Sequence, residues 1–334
     1  MKKLLLILLC LPMIGFGQNV NIPDTAFKVY LVGNSNINTN GDNEIQLSEA
    51  NSFNGSIICN NNNISDLTGI ENFTSLTKLD CSWNQLSILD VSQNPVLTHI
   101  DCHENNIISL DLSQNTSLTN LNCSANQLQS LDVSQNNLLT VLVCEFNSIT
   151  ALDVTQNIYL TNLGFAYNQI DSINLTQNAE LTHLNCAANN LQTLNLDQNI
   201  LLTYLRCYSN QLNSLDVSDF ISLDHLYCND NQLISLDVKN GNNTNFIDFN
   251  INFNPNLYCI NVDDSAWSTT NWTNIDPQHY FSNNCSGTTS ITEQNTTKEL
   301  FKVTDLLGRE SKQTNQPLLY LYDDGTVEKR ITID

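Results

Sequence analysis

Three sets of residues in this sequence have the type and spacing to do chemistry. The first runs from Asn38 to Glu49, where Asn38, Asn40 and Asp42 take positions 1, 3 and 5 of a twelve-residue loop. Glu44 offers its backbone carbonyl at position 7, Ile45 is the apolar position 8, and Glu49 stands at 12. That spacing builds an oxygen cage for a hard cation, closed by a carboxylate that binds through both oxygens. Asn43 replaces the usual glycine at position 6, a site where Asn tolerates left-handed backbone. Only Asp42 and Glu49 bring formal charge, so the expectation is calcium bound weakly, at a Kd of about 10⁻⁴ to 10⁻³ M, stiffening the chain and not reacting. The same residues also read as a polar, metal-free link between two short helices. No other cofactor is expected.

The second set is a file of cysteines. Cys81, Cys102, Cys123, Cys144, Cys186, Cys207 and Cys228 recur in steps of 21 residues, with Phe165 where the missing one would fall. An Asn follows three positions later each time, from Asn84 to Asn231, and Leu columns run in the same register. Cys59 and Asn62 stand 22 residues ahead of Cys81 and Asn84, which implies an irregular first coil. The block Leu76-x-x-Leu79-x-Cys81-x-x-Asn84-x-Leu86 resembles the leucine-rich repeat, with Cys in one Leu position. The resemblance covers residues 56–250 and implies a β-rich solenoid: eight regular 21-residue coils after the irregular one. Alternation at Leu79 and Cys81 points both side chains inward from a short strand, and each coil needs neighbours to bury its apolar face. The Asn column is expected to turn inward and hydrogen-bond backbone that leaves the strand unpaired. A second extended segment is expected in each coil, because Leu86-x-x-Leu89-x-Val91-x-x-Asn94 repeats the pattern and Asp-Val-Ser-Gln-Asn makes a poor helix.

Stacked coils settle the thiol chemistry. Equivalent atoms in adjacent strands lie about 4.8 Å apart with parallel Cβ directions, whereas a disulfide needs converging Cβ atoms about 3.8 Å apart. Phe165 can replace a packing residue but not a bridge partner, and no paired Cys spacing suggests zinc. The ladder therefore reads as small buried hydrophobes. Cys259 and Cys285 lie beyond the repeats, beside Trp267, Trp272 and Pro277. They are expected to bridge within a C-terminal cap, residues 251–285, which resembles the caps of secreted bacterial repeat proteins. An α-helical N-terminal cap, residues 19–55, starts at Pro23-Asp24-Thr25 and carries the candidate calcium loop.

The third set faces outward from the principal strands, on what is the concave face of leucine-rich repeats. Its columns hold Trp83, His99, His103, Phe146, Tyr167, His183, Tyr204, Arg206, Tyr208, His225 and Tyr227. Variable aromatic and polar residues on a rigid frame are what recognition needs, and exposed rings among Asn and Asp suit a peptide or sugar. His99 and His103 with Asp101 could hold a transition metal, but on one short strand they read as solvated. A further column, Asp90, Asp111, Asp132, Asp153, Asp216 and Asp237, interrupted by Asn174 and Asn195, reads as turn acceptors and not as a cation site.

Lys2 and Lys3, an apolar run from Leu4 to Ile14, and Gly15-Phe16-Gly17 make residues 1–18 a secretory leader. That run is too short for a bilayer span, and no later one is longer. A polar linker, 286–297, leads to residues 298–334. There Asp305-Leu-Leu-Gly308-Arg309-Glu310 and Tyr322-Asp-Asp-Gly325-Thr-Val-Glu-Lys329-Arg330 resemble a type IX secretion sorting signal, as a small β tail. The resemblance implies contact with the type IX machinery and a secreted or outer-surface place on a Gram-negative bacterium. With 34 acidic against 12 basic residues, a net charge of −22, the chain is expected to repel nucleic acid and stay a soluble monomer. No nucleophile motif appears, and caps this small leave no room for a catalytic domain. The expectation is a ligand-binding or adhesion protein for an extracellular protein or glycan, not an enzyme; the alternative is a structural surface-layer or matrix component.

Overall fold

The computed structural model describes residues 18–285, 300–305, 310, 317–322 and 327–331. The leader, the linker and much of the sorting blocks lie outside the described residues. The chain forms two compact units, residues 1–284 and 285–334.

The first unit is a β-solenoid. Ten three-residue strands, from Ser56–Ile58 to Asp248–Asn250, stack in chain order as one parallel sheet, which passes over two strands of the other half-coil, Ser214–Asp216 and Ser235–Asp237. The register advances by one coil at every step: Leu79 sits opposite Ile100, Ile100 opposite Leu121, Leu121 opposite Leu142. The tenth strand extends the sheet beyond the nine coils counted from the cysteine column. A short turn at Asn243–Asn245 lengthens that step from 21 to 23 residues, and Ile251 fills the cysteine position. Inside, Leu76, Leu79, Cys81 and Leu86 are all fully buried, and their equivalents stay buried through Leu223, Leu226, Cys228 and Leu233, whereas Phe246 and Phe249 of the tenth coil are only partly so.

The two Asn columns are the fold's polar skeleton. Asn126 Nδ2 donates to the carbonyls of Cys102, Cys123 and Ser124, while its Oδ1 accepts from Ile107 N. One side chain thus satisfies backbone groups in two coils, which is why the position admits no apolar residue. In the other half-coil Asn94, Asn115, Asn136, Asn157, Asn178 and Asn199 are fully buried, and Asn115 Nδ2 bonds Val91 O and Asn94 O. The second extended segment becomes a hydrogen-bonded sheet only toward the C-terminus, through Ser214–Asp216, Ser235–Asp237, Cys259–Asn261 and Tyr280–Ser282. In earlier coils those Asn side chains carry the coil-to-coil bonding in its place.

The eight thiols from Cys59 to Cys228 are free and buried. Burial pushes Cys102, Cys144 and Cys207 up to about 12, so they pack as protonated hydrophobes. Phe165 fills its gap with no exposure. Cys259 and Cys285 are disulfide-bonded.

Both solenoid ends are closed by an aspartate. Helix α1, Thr25–Gly33, is capped by Asp24, whose Oδ1 accepts from Ala26 N and Phe27 N. Its other oxygen accepts from Ser65 N, Ser65 Oγ and Asp66 N, tying the cap to the first coil. At the far end the left-handed turn of the last coil has no next coil to bond. Asp276 accepts from Phe253 N at 3.0 Å and Asn254 N at 2.9 Å. Trp272 plugs the core there, stacked on Phe249 with centroids 4.0 Å apart and edge-on to Phe246 and Trp267. The second unit contains a three-stranded antiparallel sheet, Leu300–Asp305, Pro317–Tyr322 and Val327–Ile331, with Pro317–Tyr322 in the middle.

Candidate binding face

Each principal strand leaves two side chains outward and then turns. The turn puts a non-glycine residue in the left-handed region in every regular coil, from Trp83 at φ 54° through Phe146 at 51° and Tyr167 at 54° to Asp230 at 54°. Left-handed backbone costs such residues about 1–2 kcal/mol each. It persists because inter-coil bonds hold the turn from both sides, as Trp83 N does to His103 O and Phe146 N to Ala166 O. The result throws large side chains out from the sheet edge: Trp83 is 55% exposed, Phe146 52% and Tyr167 43%.

The expected face residues separate into three places. Trp83 meets His103 edge-on at 5.8 Å, and His103 Nδ1 lies 2.6 Å from Asp101 Oδ1. His99 sits beside them with its Nδ1 on Thr98 Oγ1. Further along, Phe146 stacks on Tyr167 at 4.3 Å, and Tyr167 Oη lies 3.2 Å from Tyr208 Oη, two coils away. Third, Tyr204 gathers His183 at 5.7 Å, His225 at 5.3 Å and Tyr227 at 6.2 Å. Arg206 lies over the rings of Tyr204 and Tyr227, 5.0 and 4.9 Å from their centroids. Among the described residues no group of His, Cys, Asp and Glu is arranged to hold a metal ion.

The structure also joins residues that their types alone did not single out. Glu145 crosses Gly164, where an added Cβ would stand 2.7 Å from its Oε1, and accepts from Asn185 Nδ2 at 2.7 Å. Burial raises the Glu145 carboxyl, with the Asn185 bond and the Arg206 charge opposing it. Ala166 and Ala187 are fully buried beneath. The readable signal was the run of small residues Gly164, Ala166, Ala187 and Ala188 among large neighbours. Burial and the Tyr167 hydroxyl push Tyr208 up to about 12, so it presents a neutral hydroxyl.

In the N-terminal cap the candidate cation residues do come together, bonded to one another. Glu49 Oε1 accepts from Thr39 N, Thr39 Oγ1 and Asn40 N, and its Oε2 accepts from Gln46 N. Gln46 and Glu49 form a capping box for helix α2, Leu47–Ser52. Burial would raise the Glu49 carboxyl, yet these donors outweigh it and hold it below its ordinary value. Asn38 Oδ1 accepts from Gly41 N, Asn40 Oδ1 from Asp42 N and Asp42 Oδ1 from Glu44 N. The Glu44 carboxylate is paired with Lys28 at 2.7 Å. Asn38, Asn40, Asp42 and Glu49 thus each already accept at least one protein donor.

A family model described as the leucine-rich-repeat domain of the endo-β-N-acetylglucosaminidase EndoS matches residues 43–157. Internalin J of Listeria monocytogenes is 54% identical over 39 residues, which are 12% of this chain and 4% of that protein's length. The solved functional domain of InlJ from Listeria monocytogenes, described as including a cysteine ladder, is 32% identical with a TM-score of 0.57. That likeness covers 74% of this chain and 68% of the other. An internalin, InlF, from the same species shares the fold at 17% identity, with a TM-score of 0.50 over 81% of this chain and 94% of its own.

Proposed function

This chain belongs to the internalin-type leucine-rich-repeat proteins, and from that premise we propose that it is a secreted or cell-surface binding protein. It holds a partner protein or glycan on the outward face of its principal sheet. The observation that carries this reading is the exposed ring set, Trp83, Phe146 and Tyr167, held out by left-handed turns on an otherwise uniform frame. The same turn recurs at Glu104, Ala125, Ala188, Ser209 and Asp230 and belongs to the frame, so it is the exposed rings it carries that support recognition. The role is recognition, supported by the exposed rings and amides of the face. The leader, residues 1–18, and the type IX-like tail, residues 298–334, support export to the outer surface of a Gram-negative bacterium. The chain works there as a monomer.

Calcium at Asn38, Asn40, Asp42, Glu44 and Glu49 enters this reading as a weak structural ion competing with the donors on Glu49. At a Kd of about 10⁻⁴ to 10⁻³ M, 1 mM calcium stabilises by about 0.4–1.4 kcal/mol. A rise of a few degrees in Tm that Glu49→Gln abolishes is the expected result. No response at millimolar calcium removes the ion from the account.

A structural matrix role is favoured by a different observation, the exposed Ile88, Ile108, Ile221, Ile234 and Ile247. The two readings separate in a binding screen of the chain against extracellular proteins and glycans, run beside a Trp83→Ala/Phe146→Ala/Tyr208→Ala variant. A partner lost in the variant supports the binding face. Calcium-dependent self-assembly that the variant retains supports the matrix role.

A further inference from the structure

The outward columns of the sheet carry only two fixed cations, Lys78 and Arg206. Arg206 is unusual in so acidic a chain, because it forms no ion pair among the described residues. Glu145 is near enough to feel its charge, yet turns its carboxylate to Asn185. The guanidinium instead lies over both Tyr204 and Tyr227, 5.0 and 4.9 Å from centroids that are themselves 6.2 Å apart. The Tyr227 hydroxyl is shared between Arg206 and Asp248, the latter on the last strand of the sheet. A guanidinium packed on two rings, with one N–H engaged by the Tyr227 hydroxyl, keeps the rest of its N–H edge for a planar anion and loses little freedom on binding one.

We propose that the Tyr204–Arg206–Tyr227 clamp is the anchor for a carboxylate side chain, aspartate or glutamate, presented by a partner protein. This rests on the sheet face being the binding surface. A carboxylate fits better than a phosphate or sulfate because the surrounding net charge of −22 penalises a second negative charge. A carboxylate also matches the planar N–H fork through two parallel bonds. A protein fits better than a lone acidic sugar because the ring-bearing columns run from Trp83 to Tyr227 across eight strands, about 34 Å at strand spacing. That length suits a standard protein interface with Arg and Tyr at its centre.

The test uses the full chain with ¹⁵N-labelled arginine and follows the Arg206 side-chain Nε–Hε resonance. The probes are Nα-acetyl-glutamic acid amide, its neutral isostere Nα-acetyl-glutamine amide, and glucuronate. The expected result is a saturable shift with the glutamate probe at tens of millimolar, at least five-fold weaker with the glutamine probe. Arg206→Lys, which keeps the charge but not the fork, weakens the glutamate probe at least five-fold, measured on the Tyr204 and Tyr227 ring resonances; Lys78→Gln leaves it unchanged. No glutamate binding, equal binding of the glutamine probe, or full affinity in Arg206→Lys overturns the proposal. Glucuronate bound with glutamate silent overturns it in favour of an acidic glycan. The Trp83→Ala/Phe146→Ala/Tyr208→Ala variant leaves the clamp in place. A partner lost in that variant but kept by Arg206→Lys therefore preserves the binding face and removes only the clamp.

Discussion

Asn126 and Asp153 occupy two columns that look alike in the sequence and do different work. Asn126 both donates and accepts inside the core, so Asn126→Ala strands buried carbonyls and an N–H at a cost of about 3 kcal/mol. Thermal or urea unfolding measures that loss. Asp153 Oδ1 only accepts from Thr155 N and Oγ1 at the surface, and Asn174 does the same for Thr176. Asp153→Asn should therefore leave Tm unchanged where Asp153→Ala lowers it. Backbone N–H groups of Ser92, Ser134 and Thr155 hold Asp90, Asp132 and Asp153 below the ordinary carboxylate range. A lowered carboxyl contributes its stability above the unfolded pKa of about 3.9 and loses it as pH falls through the folded value. Tm should hold from pH 7 to 5 and fall below about pH 4, less steeply in an Asp90→Asn/Asp132→Asn/Asp153→Asn variant. The turn role of these aspartates was legible because Asn interrupts the column. Glu49 was harder to read, because Gln46-x-x-Glu49 is both the end of a cation loop and a capping box, and spacing alone does not choose.

At the scale of elements, the solenoid depends on how its ends stop. The regular coils were readable from period alone, since each repeats one set of inward residues. The tenth strand was not, because two extra residues break the register and Ile251 replaces the cysteine marker. Asp276 was equally invisible, since its partners Phe253 N and Asn254 N lie over twenty residues away. Asp276→Ala leaves both donors without a partner and should cost about 2 kcal/mol, read as early fraying of 248–285 in hydrogen exchange. Trp272→Ala opens the aromatic plug and should cost about 3–5 kcal/mol. Reducing the Cys259–Cys285 bond frees a loop whose closure contributes about 3 kcal/mol. The eight ladder thiols should meanwhile resist alkylation until the chain unfolds, because burial keeps them protonated.

For the whole molecule, a rigid ladder turns sequence variation into a surface. Inward columns are nearly constant, so the outward ones are free to differ, and Trp83, Phe146, Tyr167, Tyr204 and Tyr208 are spread over three groups there. Membership of the face was legible from period-two alternation. The pairing of Tyr167 with Tyr208 and that of Glu145 with Asn185 were not, because they join residues 41 and 40 apart. The net charge of −22 adds a long-range field, so association with an acidic partner should speed up with salt and with a basic one slow down. The most direct measurement is the affinity of one identified partner for two variants matched in size, both checked to keep the wild-type Tm. One is Phe146→Ala/Tyr167→Ala/Tyr208→Ala on the sheet face; the other is Ile88→Ala/Ile108→Ala/Ile234→Ala away from it. The account predicts a loss of about a hundred-fold or more in the first and little change in the second. Unchanged affinity in the first, or a comparable loss in the second, contradicts it.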